Sequence, residues 1–251
     1  MKTLLEKNTK TDVIINNSMV TNPIASVAPK ELLSKDKIKE IVAKRAAKEF
    51  KDGDVVTLGI GLPTAVADYV PAGMTVTFQS ENGLLGLGKS ATVDNIDKAI
   101  INAGGGYVEA NPGASFYDAA MAFTMMRGGH VDSTILGALQ VDAEGNIASW
   151  AIPGKFVPGI GGSMDLIVGA KKVIVAMEHT SKGQIKILQK CNLPLTASHQ
   201  VNLIITERCV FEVTPKGLVM IEINPMFSIA DIKESTGASF TVSANLKYME
   251  V

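Results

Sequence analysis

The run Val55-Val-Thr-Leu-Gly-Ile-Gly-Leu-Pro-Thr-Ala-Val-Ala67 commits this chain to alternating strand and helix. Val55 to Leu58 is apolar and rich in β-branched residues, which predicts a buried strand. Gly59 and Gly61 predict a tight turn. Pro63 suits the first position of a helix, where its missing N–H costs nothing. Such a loop can bring backbone N–H groups and a helix dipole to an anion or a carbonyl oxygen, or it can serve close packing alone. It is a poor dinucleotide fingerprint, because Thr64 stands where the third glycine would be. Glu81 falls near the spacing of a ribose-binding acid, but beyond the end of the next strand. The 23 glycines, set against 5% aromatic residues, suit close helix–sheet contacts and tight βα turns, so the expected class is α/β.

The rest of the chain fits that class. Residues 1–33 are polar and lack a sustained period, and read as an N-terminal arm, flexible or laid over a neighbour. Residues 34–251 are expected to form one domain. A helix is predicted over 36–50, capped by Ser34 or Asp36, with Ile38, Ile41, Val42, Ala46 and Phe50 inward and Lys and Arg on the other face. Residues 74–78 alternate as a strand. A short helix-like piece is expected over 94–103. A helix opened by Ser115 and Asp118 should run to Arg127, with Phe116, Ala120, Phe123 and Met126 inward. Residues 134–141 and 146–152 suggest a hairpin. The loop 153–162 has four Gly and two Pro and no hydrophobic period, which favours a functional loop. Strands at 172–177, 203–206, 209–213, 219–223 and 240–244 make the C-terminal half β-rich, with a short helix capped by Ser228 and Asp231 among them.

Composition excludes several functions. A formal charge of −1 marks neither a nucleic-acid binder nor a membrane-surface protein. No apolar run reaches the roughly 18 residues of a membrane span. The start, with Glu6 and Asp12, does not read as a signal peptide. Cys191 and Cys209 lie far apart, outside metal-ligand spacing. They are expected to be reduced and buried in a cytoplasmic protein, with a redox pair as the alternative. His130, His179 and His199 are scattered, and are expected to be surface or satisfied structural residues.

What remains for chemistry is Phe78-Gln-Ser-Glu-Asn-Gly-Leu-Leu-Gly86. Its single carboxylate, Glu81, sits where a strand gives way to an Asn82-Gly83 turn. It is either a solvated loop glutamate or an acid presented at a strand edge among backbone amides. One carboxylate cannot do glycosidase-type acid/base work. No Gly-x-Ser-x-Gly elbow or Walker loop is present. A carboxylate held among amides is a plausible nucleophile.

This stretch resembles the active-site signature of the family I CoA-transferases. Gly59-Ile-Gly-Leu-Pro63 and Gly161-Gly-Ser-Met-Asp-Leu166 resemble that family's other landmarks and occur in its order, with Gly104-Gly-Gly106 and Ile152-Pro-Gly-Lys155 between them. The likeness runs from about residue 36 to 251 and is greatest to the B-type (β) chains of two-subunit members. Ser163, where the family more often has Ala, and the arm depart from it.

The resemblance implies an open-sheet α/β domain of the CoA-transferase type. It implies Glu81 as the nucleophile in a ping-pong transfer of CoA between a short-chain acyl-CoA and a free acid, through a Glu81–CoA thioester. Gly59 and Gly61 would let the pantetheine and acyl groups approach. Ser80, Asn82 and Gly83 flank Glu81 as substrate- or CoA-binding candidates. The amides near Gly161 and Gly162 would contact the thioester oxygen or CoA. Lys155 is a candidate for an anionic group of CoA, or a solvated loop lysine. CoA would be a substrate, with no permanently bound cofactor and no metal. An α subunit would complete the cleft in an α2β2-type assembly. Acetate, acetoacetate and butyrate are the implied acids, with succinate open. The competing expectations are an isomerase-like protein acting on sugar phosphates and a non-catalytic CoA-binding subunit of the same fold.

Overall fold

The strand before the glycine loop forms, and the sheet grows from both of its edges. The computed structural model describes residues 33–155, 157 and 159–250. Ten strands form the main sheet: β1 (Val55–Leu58), β2 (Thr77–Ser80), β3 (Leu84–Ser90), β4 (Val108–Phe116), β5 (Val131–Leu136), β6 (Ala170–Ala176), β7 (Leu203–Ile205), β8 (Cys209–Thr214), β9 (Gly217–Ile223) and β10 (Phe240–Tyr248). Their spatial order is β10-β9-β8-β7-β6-β5-β1-β2-β3-β4. From β7 to β2 every neighbouring pair is parallel. Antiparallel strands extend the sheet on both sides, and β10 returns parallel to β9. A smaller sheet joins Gln140–Asp142 to Ile147–Ala148 and Ile187–Leu188.

Parallel strands must be covered on both faces. On one face lie helix α1 (Lys35–Ala47) and the 3₁₀ helix Leu62–Tyr69, with Ile41, Val42, Ala46, Val66 and Phe78 in one apolar cluster. On the other lie α2 (Ala119–Arg127) and α3 (Ser163–Gly169), with Met126, Leu136, Leu166, Ile167 and Val173 in a second cluster. A fourth helix, α4 (Ile229–Ser235), starts from the expected cap. The Asp231 amide donates to Ser228 Oγ at 3.2 Å, and the Ser228 amide donates to Asp231 Oδ2 at 2.8 Å.

Several expectations change. Ser34, not Asp36, caps α1 by accepting from the Lys37 amide, and the helix stops at Ala47. Its basic face is not all solvated. Arg45 is buried and forks onto Glu222 with two 2.7 Å bonds, and also donates to Glu49. Breaking such a buried pair costs about 3–5 kcal/mol. No helix forms over 94–103, because Asn95 and Asp97 side chains accept from the Thr92 and Ala99 amides and so compete with helical bonds. Asp118 alone caps α2. Ser115 and Phe116 belong to β4, Phe116 and Ala120 face outward, and Ala122 takes the inward position beside Met126. The hairpin is confined to the smaller sheet, and Trp150 lies outside its strands. The expected arm, apart from Leu33, lies outside the described residues.

The cysteines are free, and burial pushes both thiols up, Cys191 to about 12. No helix among the described residues is long and apolar enough to cross a membrane. His179 is the buried histidine. Its ring nitrogens meet the Thr206 and Thr236 hydroxyls at 2.9 and 3.0 Å. Burial, with Arg208 and Lys186 adding to it, pushes its pKa down to about 3.

Unfolding restores an ordinary histidine pKa of about 6.5, so the unfolded chain binds the extra proton. His179 therefore contributes stability above about pH 6.5 that is lost as pH falls toward 3, at up to about 1.4 kcal/mol per pH unit. Urea midpoints between pH 6.5 and 5 are expected to fall for the wild type and to fall less for His179→Gln. Parallel slopes would contradict this.

Candidate active site

The chain builds away from β1 in opposite directions, first through β2 to β4, then from β5 outward. Loops leaving the carboxyl ends of β1 and β5 therefore diverge, which opens a crevice at that end of an α/β sheet. A cleft of about 520 Å³ lies there. Gly59 and Ile60 after β1, Gly137 to Leu139 after β5, Ser80 and Glu81 at the end of β2, and Gly159 to Ser163 line it.

Glu81 is half-buried and follows β2 directly, so its backbone is anchored by the sheet. Gly83 makes the turn after it possible. Its φ is +105°, and a Cβ there would lie 1.9 Å from the Tyr117 carbonyl oxygen. The Gly83 amide donates to the Ser80 carbonyl at 3.0 Å, and Asn82 Nδ2 donates to the Ile101 carbonyl at 2.8 Å. Ser80 Oγ accepts from the Ala103 amide at 3.1 Å. These bonds fix the turn and the segment beside it.

The opposite wall is Gly162. A Cβ on it would sit 2.1 Å from Glu81 Oε2 and 3.0 Å from the Phe123 ring, so the carboxylate rests where any other side chain would be. Burial pushes the Glu81 pKa above the usual carboxylate range, the charge of Asp165 adds to it, and the nearby Gly162 N–H acts in the opposite sense. Asp165 is held by Arg127, whose Nε donates to Oδ1 at 2.6 Å. Among the described residues, no Lys, Arg or His lines the cleft, and no group of His, Cys, Asp and Glu could hold a metal ion.

The structure brings Gly59, Ser80, Glu81, Gly161 and Gly162 together around the cleft. Gly59 also serves close packing. Its amide donates to the Ile135 carbonyl at 2.8 Å, and a Cβ there would meet Leu136 at 2.8 Å. Gly61, with φ +90°, precedes the 3₁₀ helix and does not line the cleft. Asn82 and Gly83 shape the turn from outside it. Lys155 is exposed and away from the lining.

Sequence reasoning passes over Gln79. Its side chain is buried and borders the cleft, with the Tyr117 hydroxyl beside it. The signal available in sequence is a polar residue beside a predicted buried strand.

The coenzyme A transferase family model matches residues 39–235. The β subunit of the acetate CoA-transferase of Escherichia coli K12 is 49% identical over 209 residues, covering 83% of this chain and 95% of that protein. The corresponding B-type chain of the succinyl-CoA:3-ketoacid coenzyme A transferase of Helicobacter pylori 26695 is 48% identical over 206 residues, covering 82% and 99%. Among solved structures, an acyl-CoA transferase apoenzyme from Escherichia coli O157:H7 superposes with a TM-score of 0.68. It is 23% identical, over 88% of this chain and 45% of that one, which shows a shared fold.

Asp165→Asn removes the like charge facing Glu81 and frees Arg127, so both effects favour the ionised carboxylate. A 13C-NMR titration of Glu81 Cδ is expected to give a lower pKa in the variant than in the wild type. An unchanged midpoint would show that burial alone sets it.

Proposed function

The chain belongs to the coenzyme A transferase family, and from that premise we propose that it is the catalytic β subunit, carrying CoA on Glu81. The observation that carries the reading is the Glu81 carboxylate lodged against the Gly162 backbone, in a cleft that no described cation lines. Burial and the Asp165 charge destabilise its ionised form, which makes it a better nucleophile when ionised.

In the proposed sequence, a Glu81 oxygen attacks the acyl-CoA carbonyl carbon, the C–S bond breaks, and a mixed acyl–glutamyl anhydride forms with release of CoA thiolate. The thiolate attacks the glutamyl carbonyl, giving a Glu81–CoA thioester and the first acid as its carboxylate. The second carboxylate attacks that thioester, re-forming an anhydride and thiolate. Attack of the thiolate on the new acyl carbonyl yields the second acyl-CoA and restores Glu81. Each step trades one activated acyl bond for another, so neither ATP nor a permanently bound cofactor is required, and CoA is a substrate. The kinetics are ping-pong.

In this reading Gly162, with Gly161, offers backbone rather than side chain to the reacting carbonyl oxygen. Gly59 and Gly61 keep the loop after β1 free of side chains at two positions. Ser80, Asn82 and Gly83 hold the turn that aims Glu81. Lys155 enters only as a solvated contact for CoA phosphates.

An α subunit completes the proposed site. The related proteins are named as β and B-type chains of multi-chain enzymes. Large apolar side chains also stand exposed, among them Ile60 of the cleft lining and Met164, next in sequence to the lining residue Ser163, as expected of a surface that a partner covers. We propose an α2β2-type assembly in the cytoplasm, where thiols such as Cys191 and Cys209 stay reduced. The proposed acids are short-chain ones, acetate, acetoacetate and butyrate.

The test uses the co-expressed complex. Incubation with acetyl-CoA is expected to add a covalent CoA moiety to this chain by intact mass, and Glu81→Ala to abolish it. An unmodified wild-type chain with transfer still proceeding would sink the assignment. Gly162→Ala is expected to keep its circular dichroism spectrum but to lose transfer activity about 100-fold or more, since a carboxylate displaced by about 1 Å attacks poorly.

A further inference from the structure

The strands β1, β5 and β6 are neighbours in the sheet, and a second cavity of about 230 Å³ opens at their carboxyl ends. It shares Ile60, Gly137 and Ala138 with the Glu81 cleft, so the two meet over the loops that leave β1 and β5. A Cβ on Gly137 would meet nothing within 4 Å, so the passage is open there. The far walls of this annex include Glu178, Ser181 and Lys186.

A short hairpin places Lys186. Thr180–Ser181 pairs with Gln184–Ile185, and the chain reverses through Lys182 and Gly183. Their φ values of +49° and +78° are the positive ones that a two-residue turn favours. Ile187 is buried in the core, so strand alternation turns Lys186 away from it. The Lys186 carbonyl accepts from the Val141 amide at 3.0 Å, which ties the base of the side chain to the smaller sheet. Lys186 is half-buried, and among the described residues its ammonium has no hydrogen-bond or ion-pair partner. Burial pushes its pKa down, and the charges of Glu178 and Glu207 act in the opposite sense from beyond ion-pair distance.

An ammonium withdrawn from water without a paired anion is costly, so an anion entering the annex gains a strong partner. Lys39 and Lys89 border another cavity beside the cleft, but both are exposed and solvated. CoA supplies the matching chemistry. Its thioester end belongs at Glu81, yet it also carries a diphosphate and a 3′-phosphate, and no described cation lines the cleft itself.

We propose that Lys186 binds a phosphate group of CoA, so that CoA lies from Glu81 across Gly137 and Ala138 into this annex. The inference rests on the CoA-transfer reading of Glu81 and adds a residue that tells CoA from shorter thiols.

The test uses the co-expressed complex. Lysines are methylated with formaldehyde and cyanoborohydride, and Lys186 is read by peptide mass spectrometry, with CoA, pantetheine or inorganic phosphate present. CoA at roughly ten times its Kd is expected to slow methylation of Lys186 about 10-fold, and pantetheine to leave it unchanged. Lys186→Met is expected to lower kcat/KM for acetyl-CoA roughly 10- to 100-fold and to leave S-acetylpantetheine within about 3-fold. Lys186→Arg, which keeps the charge, should recover most of the loss.

Equal protection by CoA and pantetheine, or equal losses on the two donors, would overturn the proposal. Protection by inorganic phosphate without protection by CoA would also overturn it, and would mark a site for the free ion. The protection arm uses wild type alone, so it decides even if Lys186→Met does not fold. CoA labelling of Glu81 by acetyl-CoA is read in parallel samples. Labelling without protection of Lys186 rejects Lys186 alone, and no labelling in wild type rejects the CoA-transfer reading itself.

Discussion

The parallel pairing of β1 on both edges is the constraint from which the rest follows. A parallel neighbour cannot be reached by a hairpin, so the chain must cross over the sheet each time. The crossover to β2 uses the 3₁₀ helix Leu62–Tyr69 on the face that α1 also covers. The return from β4 to β5 uses α2 on the opposite face. Two crossovers on two faces shelter both sides of a strand only four residues long. They also leave the ends of β1 and β5 with loops that part company, and the cleft occupies that gap. The site is thus a consequence of strand order before it is a matter of particular side chains.

Particular side chains then decide what a carboxylate does once sheltered. Burial pushes Glu49 upward as it does Glu81, yet Lys172 and Arg45 hold Glu49 below the ordinary carboxylate range. Among the described residues Glu81 has no such partner, and its charged neighbour is another acid. The contrast separates a structural acid from a poised one. Around Arg45, paired charges tie α1 to β9, and Glu49, just past the helix, to β6. Around Glu81, a charge that no described cation pairs is tolerated because the Gly162 backbone comes close and Arg127 neutralises Asp165.

Much of this is legible in the sequence, and the failures share a cause. The glycine loop after β1, the Asn82-Gly83 turn and the Ser228 cap are local, and local chemistry announces them. The α/β class follows from the same punctuation. The helix expected over 94–103 fails where Asn and Asp side chains take the amides for themselves. Helical spacing puts Phe116 inward, but it belongs to a strand whose partner is fixed by long-range register. Arg45 looks solvated because its partner Glu222 lies 177 residues away. The approach of Gly162 to Glu81 joins loops distant in the chain, and no spacing rule reports it. Gln79 stands inside the most conspicuous motif, but only sheet register sets it beside Thr57, and Thr57 beside Thr134.

The polar side chains of the lining and the exposed Ile60 beside them bear on the same chemical problem. An acyl–glutamyl anhydride is lost to any water that reaches it, so the proposed transfer demands a dry cleft. The polar side chains of Thr57 and Gln79 in the lining would hold water in an open site. Such a lining is compatible with the chemistry only if something closes the mouth during transfer. Ile60 lines the cleft with most of its side chain exposed, and Met164 follows the lining residue Ser163 and is exposed as well. Closure by a partner would bury them, exclude water from Glu81, and strengthen every electrostatic contact inside. On this argument assembly is part of the proposed mechanism, because an isolated chain would present a reactive carboxylate in a wet, half-built cleft.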